Sequence, residues 1–149
     1  IVDITVVARN EGTTTETFNV TAYYDSTTIG TQWVLNLPPS ENITLTFDWN
    51  TTGMQPCTKY TISAEASIVP GEINVSNNIL VDGTVKIKMA GDVDGNGVVD
   101  IFDLVQAAAA FGCSPGQLGW DPQVDMFQDG LIDVFDLVVI GFYFGETCL

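Results

Sequence analysis

Two fourteen-residue segments, VDIFDLVQAAAAFG at 99–112 and IDVFDLVVIGFYFG at 132–145, align without a gap at an offset of 33 residues. Seven of the fourteen positions are identical and two more exchange valine for isoleucine. With two copies only, the repeat points to a paired unit in which two helices bury each other's apolar sides, and away from a solenoid. Each copy holds an apolar run of helical length, 101–111 and 134–144, followed by glycine, a helix-stop signal. The chain ahead of them must therefore be read separately, because its period is different.

Residues 1–90 alternate with period two, the spacing of half-buried strands. In ETFNVTAYY, Phe18, Val20, Ala22 and Tyr24 share one face and Asn19, Thr21 and Tyr23 the other. NITLTFDW and KYTISAEAS alternate in the same way, and EGTTT, YDSTT, LPPSEN, NTTGMQP and VPGEINVSN supply turns between the runs. The pattern predicts strands near 2–9, 17–24, 28–36, 42–49, 58–68 and 79–89. An all-β antiparallel sandwich at 1–90, followed by a small α-helical paired-loop domain at 91–149, is the expected architecture.

Charge divides along the same line. Residues 1–90 carry nine acids against Arg9, Lys59, Lys86 and Lys88, whereas 91–149 carry ten acids and no lysine or arginine. Such a surface disfavours nucleic acid and anionic membranes and favours bound cations. No apolar run reaches the ~18 residues of a membrane span. The chain opens on IVDITVVARN, which reads as a strand and not as a leader. Four N-x-S/T sequons, at Asn19, Asn42, Asn50 and Asn74, favour a secreted, extracellular or cell-surface protein. Histidine is absent, which removes the usual general base and a common zinc ligand.

The acids of the second part are spaced for calcium. A twelve-residue calcium loop places oxygen ligands at positions 1, 3, 5, 7, 9 and 12 and glycine at 6. Counting from Asp92 gives Asp94, Asn96, Gly97, the Val98 carbonyl, Asp100 and Asp103 at positions 3, 5, 6, 7, 9 and 12, with Val99 at position 8 as an anchor to the core. Asp100 is equally well placed as a helix N-cap. Counting from Asp125 gives Asp129, Gly130, the Leu131 carbonyl, Asp133 and Asp136 at positions 5, 6, 7, 9 and 12. Position 3 of this second loop is Phe127, which cannot coordinate calcium, so a weaker site is expected there. Two Ca²⁺ ions follow from the pattern.

The tandem of D-x-[DN]-x-[DN]-G-x-x-D-x-x-D loops, each followed by one helix, resembles the dockerin type I module over about 91–145, and CSPGQLGWDPQVD resembles its connector. The resemblance implies two calcium ions, folding coupled to calcium, and non-catalytic docking onto a cohesin domain. Its recognition pairs fall on Ile101–Phe102 and Val134–Phe135, bulky apolar residues where cellulosomal dockerins often have small hydroxyl residues. The alternative for Phe102 and Phe135 is packing between the helices. VVARNEG, TFNVTAYYDSTTIGTQ, ITLTFDWNTTG and YTISAEASIVPGEINVSNN are similar to the CARDB-like, immunoglobulin-type domains of archaeal and bacterial surface proteins. These domains usually have one more strand ahead of IVDITVVARNEG. A sandwich without it exposes a sheet edge that a strand from another chain can fill, which with Ile1 as a mature terminus would allow head-to-tail filaments; the alternative is that the first strand was cut off or left out, or that the sheet tolerates its loss.

Cys57, Cys113 and Cys148 form an odd set, and all three pairings stay open. A bridge from Cys57 to either other cysteine would tie the sandwich to the acidic part, whereas Cys113–Cys148 would staple the calcium unit. Three function classes follow. The first is a non-enzymatic assembly or adhesion protein whose partner is a cohesin-like domain or another copy. The second is a glycan-binding appendage of a carbohydrate-active or cell-surface protein, using Trp33, Trp49 and Trp120. An enzyme is the third and least expected, since the clustered carboxylates are already taken by calcium.

Overall fold

The computed structural model describes residues 1–148, arranged as β1 Val2–Arg9, β2 Glu16–Tyr24, β3 Thr27–Leu37, β4 Asn42–Trp49, β5 Lys59–Ala66, β6 Ile79–Lys86, α1 Ile101–Ala109 and α2 Val134–Phe142. The chain divides into two compact units. The first is Ile1–Met54 with Lys59–Val85, and the second is Gln55–Thr58 with the chain from Lys86 on. The division at 85/86 precedes the one read from composition, and the 55–58 excursion into the second unit has no counterpart in that reading.

The first unit is antiparallel where its register is defined. β1 pairs with β4 in a two-stranded sheet, from Val2 opposite Trp49 to Arg9 opposite Asn42. The second sheet has the order β3-β2-β5-β6. Alternation builds the core between them: Phe18, Val20 and Ala22 of β2, Val34 and Leu37 of β3, Leu45 and Phe47 of β4, and Ala64 of β5 form one buried cluster. Ile4, Val6 and Ala8 of β1 pack against it while Asp3, Thr5, Val7 and Arg9 face out. Buried Asn10 ties down the end of β1: its Nδ2 donates to the carbonyls of Thr14 and Leu37, and its Oδ1 accepts from Gly12 N. Every polar atom of that side chain is thus engaged, which makes its burial tolerable.

Two strands face four, so the sandwich is unevenly covered. β1 ends its sheet, and a cleft of ≈ 700 Å³ opens along it, lined by consecutive β1 residues Val6–Arg9 and by Phe18, Ala64, Ala66 and Leu80 among others. Because neighbours of both pleat directions line the cleft, the backbone edge of β1 borders it. β6 is almost wholly exposed along its length, including Ile79, Leu80 and Val81.

The second unit is organised by the repeat. Val99 and Ile132, equivalent positions in the two copies, are fully buried, together with Ala107, Ile140 and Val124, and Met89 joins the same cluster. Both helices stop two residues short of the expected ends, where Gly112 and Gly145 take positive φ of 80° and 90°. That conformation suits glycine and ends a helix. Cys57 and Cys148 form the disulfide, and both belong to this unit, so the bridge does not join the two units. Cys113 is free. The 91-residue separation of the bridged cysteines corresponds to about 4.6 kcal/mol in the chain-entropy account.

Candidate metal centre

The first acidic loop is held by its own side chains. Asp92 Oδ2 accepts from Gly97 N at 3.0 Å, Asp94 Oδ1 from Asn96 N at 2.9 Å and Asn96 Oδ1 from Val98 N at 2.7 Å. Asp103, fully buried on the first turn of α1, accepts from Val93 N and Asp94 N on Oδ1 and from Asp100 N on Oδ2. Asp100 in return accepts from Phe102 N, which completes a capping box. Gly97 sits buried at φ 91°, a turn that a side chain would strain.

The second loop repeats this wiring at the same offset. Asp125 Oδ2 accepts from Gly130 N, Asp129 Oδ1 from Leu131 N, Asp133 Oδ1 from Phe135 N, and buried Asp136 from Phe127 N and Asp133 N. Phe127 thus keeps the backbone bond that Asp94 makes at the same position but brings no oxygen. Its ring lies 5.7 Å from that of Phe135.

One atom separates the two loops. Asp92 Oδ1 is buried with no hydrogen-bond partner, whereas its counterpart Asp125 Oδ1 accepts from Asp129 N at 3.2 Å. Asp92, Asp94 and Asp103 also each bring a carboxylate oxygen to within 4.8 Å of the others, the one such group of three among the described residues. Two like charges 4 Å apart repel by about 4 kcal/mol at an effective dielectric of about 20. A buried carboxylate oxygen without a donor costs more free energy still. A hard divalent cation removes both penalties, and an all-oxygen set around a glycine turn is what calcium takes. The residues present therefore fit the ion. Asn96, the Val98 carbonyl and Asp100 lie in the same loop as the remaining oxygen donors.

The pairs Ile101–Phe102 and Val134–Phe135 lie on the surface. Ile101 is 55%, Phe102 64%, Val134 56% and Phe135 55% exposed, so packing between the helices does not account for them. Val105 and Val138, one turn further on, are also exposed and extend each pair into a small apolar patch. The three tryptophans do not form one platform. Trp49 is buried and stacks on Tyr24 at 5.0 Å inside the first unit, Trp33 is exposed on β3, and Trp120 packs on the core of the second unit. Of the sequons, Asn42, Asn50 and Asn74 are exposed, and Asn19 is half-buried on β2 opposite Trp33. Asn50 and Asn74 accept from the backbone N–H two residues on, Thr52 and Ser76, in tight local turns.

Two features escaped sequence reasoning. Lys88 folds onto the first loop, where its Nζ donates to the Val93 carbonyl and to Gln123. The segment after α2 runs back along the same loop, with Val98 bridged to Thr147. No periodicity announces either contact.

No family model and no curated protein matches the chain. Two solved structures are similar to it in part. A domain of a Methanosarcina acetivorans protein assigned to the cell surface is 27% identical, covering 56% of this chain and 73% of its own, with a TM-score of 0.47. A mutant type II cohesin–X–dockerin complex from Acetivibrio cellulolyticus aligns over 97% of each chain at 15% identity and a TM-score of 0.36. Both superpositions are loose, and the reading of the site rests on its own geometry.

The vacant ligand position in the second loop gives a direct expectation. Phe127→Asp supplies the missing carboxylate on an amide already bonded to Asp136, so calcium affinity at the second loop rises tenfold or more by titration calorimetry. An unchanged affinity would show that position 3 is not a ligand position there.

Proposed function

We propose that this chain is an extracellular, non-enzymatic assembly protein in which a calcium-stabilised, dockerin-like unit presents apolar docking faces to a protein partner. The observation that carries this reading is the pairing, in both copies of the repeat, of a carboxylate-built loop with an exposed apolar patch on the helix it starts. Calcium holds the loop, the loop caps the helix, and the helix holds the patch. The resemblance of the loops to dockerin type I modules supports a cohesin-like partner with an apolar contact surface in place of the hydroxyl-matched one. The Cys57–Cys148 bridge supports an oxidising compartment outside the cytosol. No helix among the described residues is long and apolar enough to cross a membrane.

The uncovered edge of β1 favours a second association mode, in which an extended strand from another chain pairs with β1 and covers Ala64, Ala66 and Leu80. Repetition between copies of the chain would give a filament. Sedimentation velocity in millimolar calcium separates the modes, run alone and with a recombinant cohesin, on the native chain, on F102E/F135E and on L80E, which puts a charge on an exposed residue of the cleft. Cohesin binding lost in F102E/F135E supports docking through the helices. Self-assembly lost in L80E supports strand addition. A chain that stays monomeric and binds no cohesin in calcium rejects both.

A further inference from the structure

The two calcium loops are tied to the rest of the second unit by equivalent but unequal ladders. At the second loop, Ile132 N donates to the Cys113 carbonyl and Gly112 N to the Ile132 carbonyl, so the residues just after α1 hold loop position 8. At the first loop, Val99 N donates to the Glu146 carbonyl and Gly145 N to the Val99 carbonyl, the same pair of bonds from the residues just after α2. Here the ladder continues: Val98 bridges Thr147, and Cys148 N donates to the Gly97 carbonyl at 2.7 Å. Gly97 is the turn glycine and Val98 supplies the carbonyl at position 7, so the continuation reaches the ligand-bearing part of the loop. A Cβ at Gly97 would sit 3.3 Å from Cys148 Cβ and 3.5 Å from its Sγ, whereas one at Gly130, the equivalent turn, meets nothing within 4 Å.

The continuation ends on the Cys57–Cys148 bond. Cys57 is itself fixed, its N–H donating to the Ile87 carbonyl while Ile87 N donates to the Thr58 carbonyl. Resting on the calcium reading above, we propose that the disulfide is a clamp on the first calcium loop, setting its affinity by holding residues 147–148 against Gly97 and Val98, and leaving the second loop untouched. Cys57 and Cys148 are positioning residues in this arrangement, acting through the Val98 carbonyl and not on the ion. Preorganising a ligand set raises affinity by removing the ordering cost from the binding step.

The test uses the two turn-glycine amides as separate reporters, since Gly97 N and Gly130 N each donate to the first aspartate of their own loop. Calcium is titrated into the native chain and into C57S/C148S, and the two amide resonances are followed by nitrogen–proton correlation spectra. In the native chain both amides shift with calcium; a silent Gly97 there would sink the calcium reading itself. In the variant, the affinity reported by Gly97 falls at least tenfold while that reported by Gly130 changes less than threefold. Equal losses at both amides would make the bridge a general staple, and no loss at either would make it irrelevant to binding; each outcome overturns the clamp. Should the variant need calcium to fold, release into excess chelator is timed from the loaded state. The first ion then leaves at least tenfold faster than in the native chain, and the second at its native rate.

Discussion

Asp103→Ala destabilises the second unit by at least about 3 kcal/mol and removes calcium from the first loop. Asp103 is fully buried and receives three backbone N–H groups, from Val93, Asp94 and Asp100. Truncation orphans them where water does not easily reach, at about 1–3 kcal/mol for each buried donor left unpaired. The capping box of α1 goes with them, and so does one of the three clustered carboxylates. Asp103→Asn keeps an acceptor for part of this set and so falls between the alanine variant and the native chain. Asp100→Ala removes an N-cap, worth about 1 kcal/mol, and one oxygen of the loop but orphans no buried donor, so it costs less than Asp103→Ala. Urea unfolding in calcium measures the series. Equal losses in Asp103→Ala and Asp100→Ala would mean that the buried carboxylate does not organise the loop.

Much of this fold was legible because strands and tight acidic loops encode themselves locally. Ile4, Val6 and Ala8 alternate with outward-facing Asp3, Thr5, Val7 and Arg9, so β1 falls where IVDITVVARN reads as a strand although Val7 breaks the polar face. β2 to β4 follow within a residue or so. The loop spacing from Asp92 to Asp103 is equally local, and the buried Val99 stands where position 8 requires an anchor. The helix ends were less legible: the run AAAAF holds no stop before Gly112, yet α1 closes at Ala109. β6 starts at 79 as expected but closes at Lys86, and its Ile79, Leu80 and Val81 are exposed at the end of the four-stranded sheet. The cysteine pairing lay beyond sequence, because it depends on the 55–58 excursion meeting the residues after α2. Lys88 was hidden for a similar reason: its Nζ also reaches Gln123, 35 residues on. The fates of Phe102 and Phe135 stayed open until their exposure decided them.

Calcium withdrawal is expected to have the largest effect of all. With calcium removed, Asp92, Asp94 and Asp103 keep their mutual repulsion and Asp92 Oδ1 keeps its burial, with nothing to offset either. One ion at a thousand times its dissociation constant contributes about 4 kcal/mol by mass action, and each kcal/mol moves the Tm of a unit this small by about 4–8 °C. The first unit, whose core is the apolar cluster around Phe18, Val34 and Phe47, has no comparable dependence. Scanning calorimetry of the full chain, in millimolar calcium and again in excess chelator, puts this to the test. The predicted result is one transition that stays in place and one that falls by more than about 15 °C in chelator, returning when calcium is restored. Two transitions indifferent to chelator would contradict the assignment of these carboxylates to calcium.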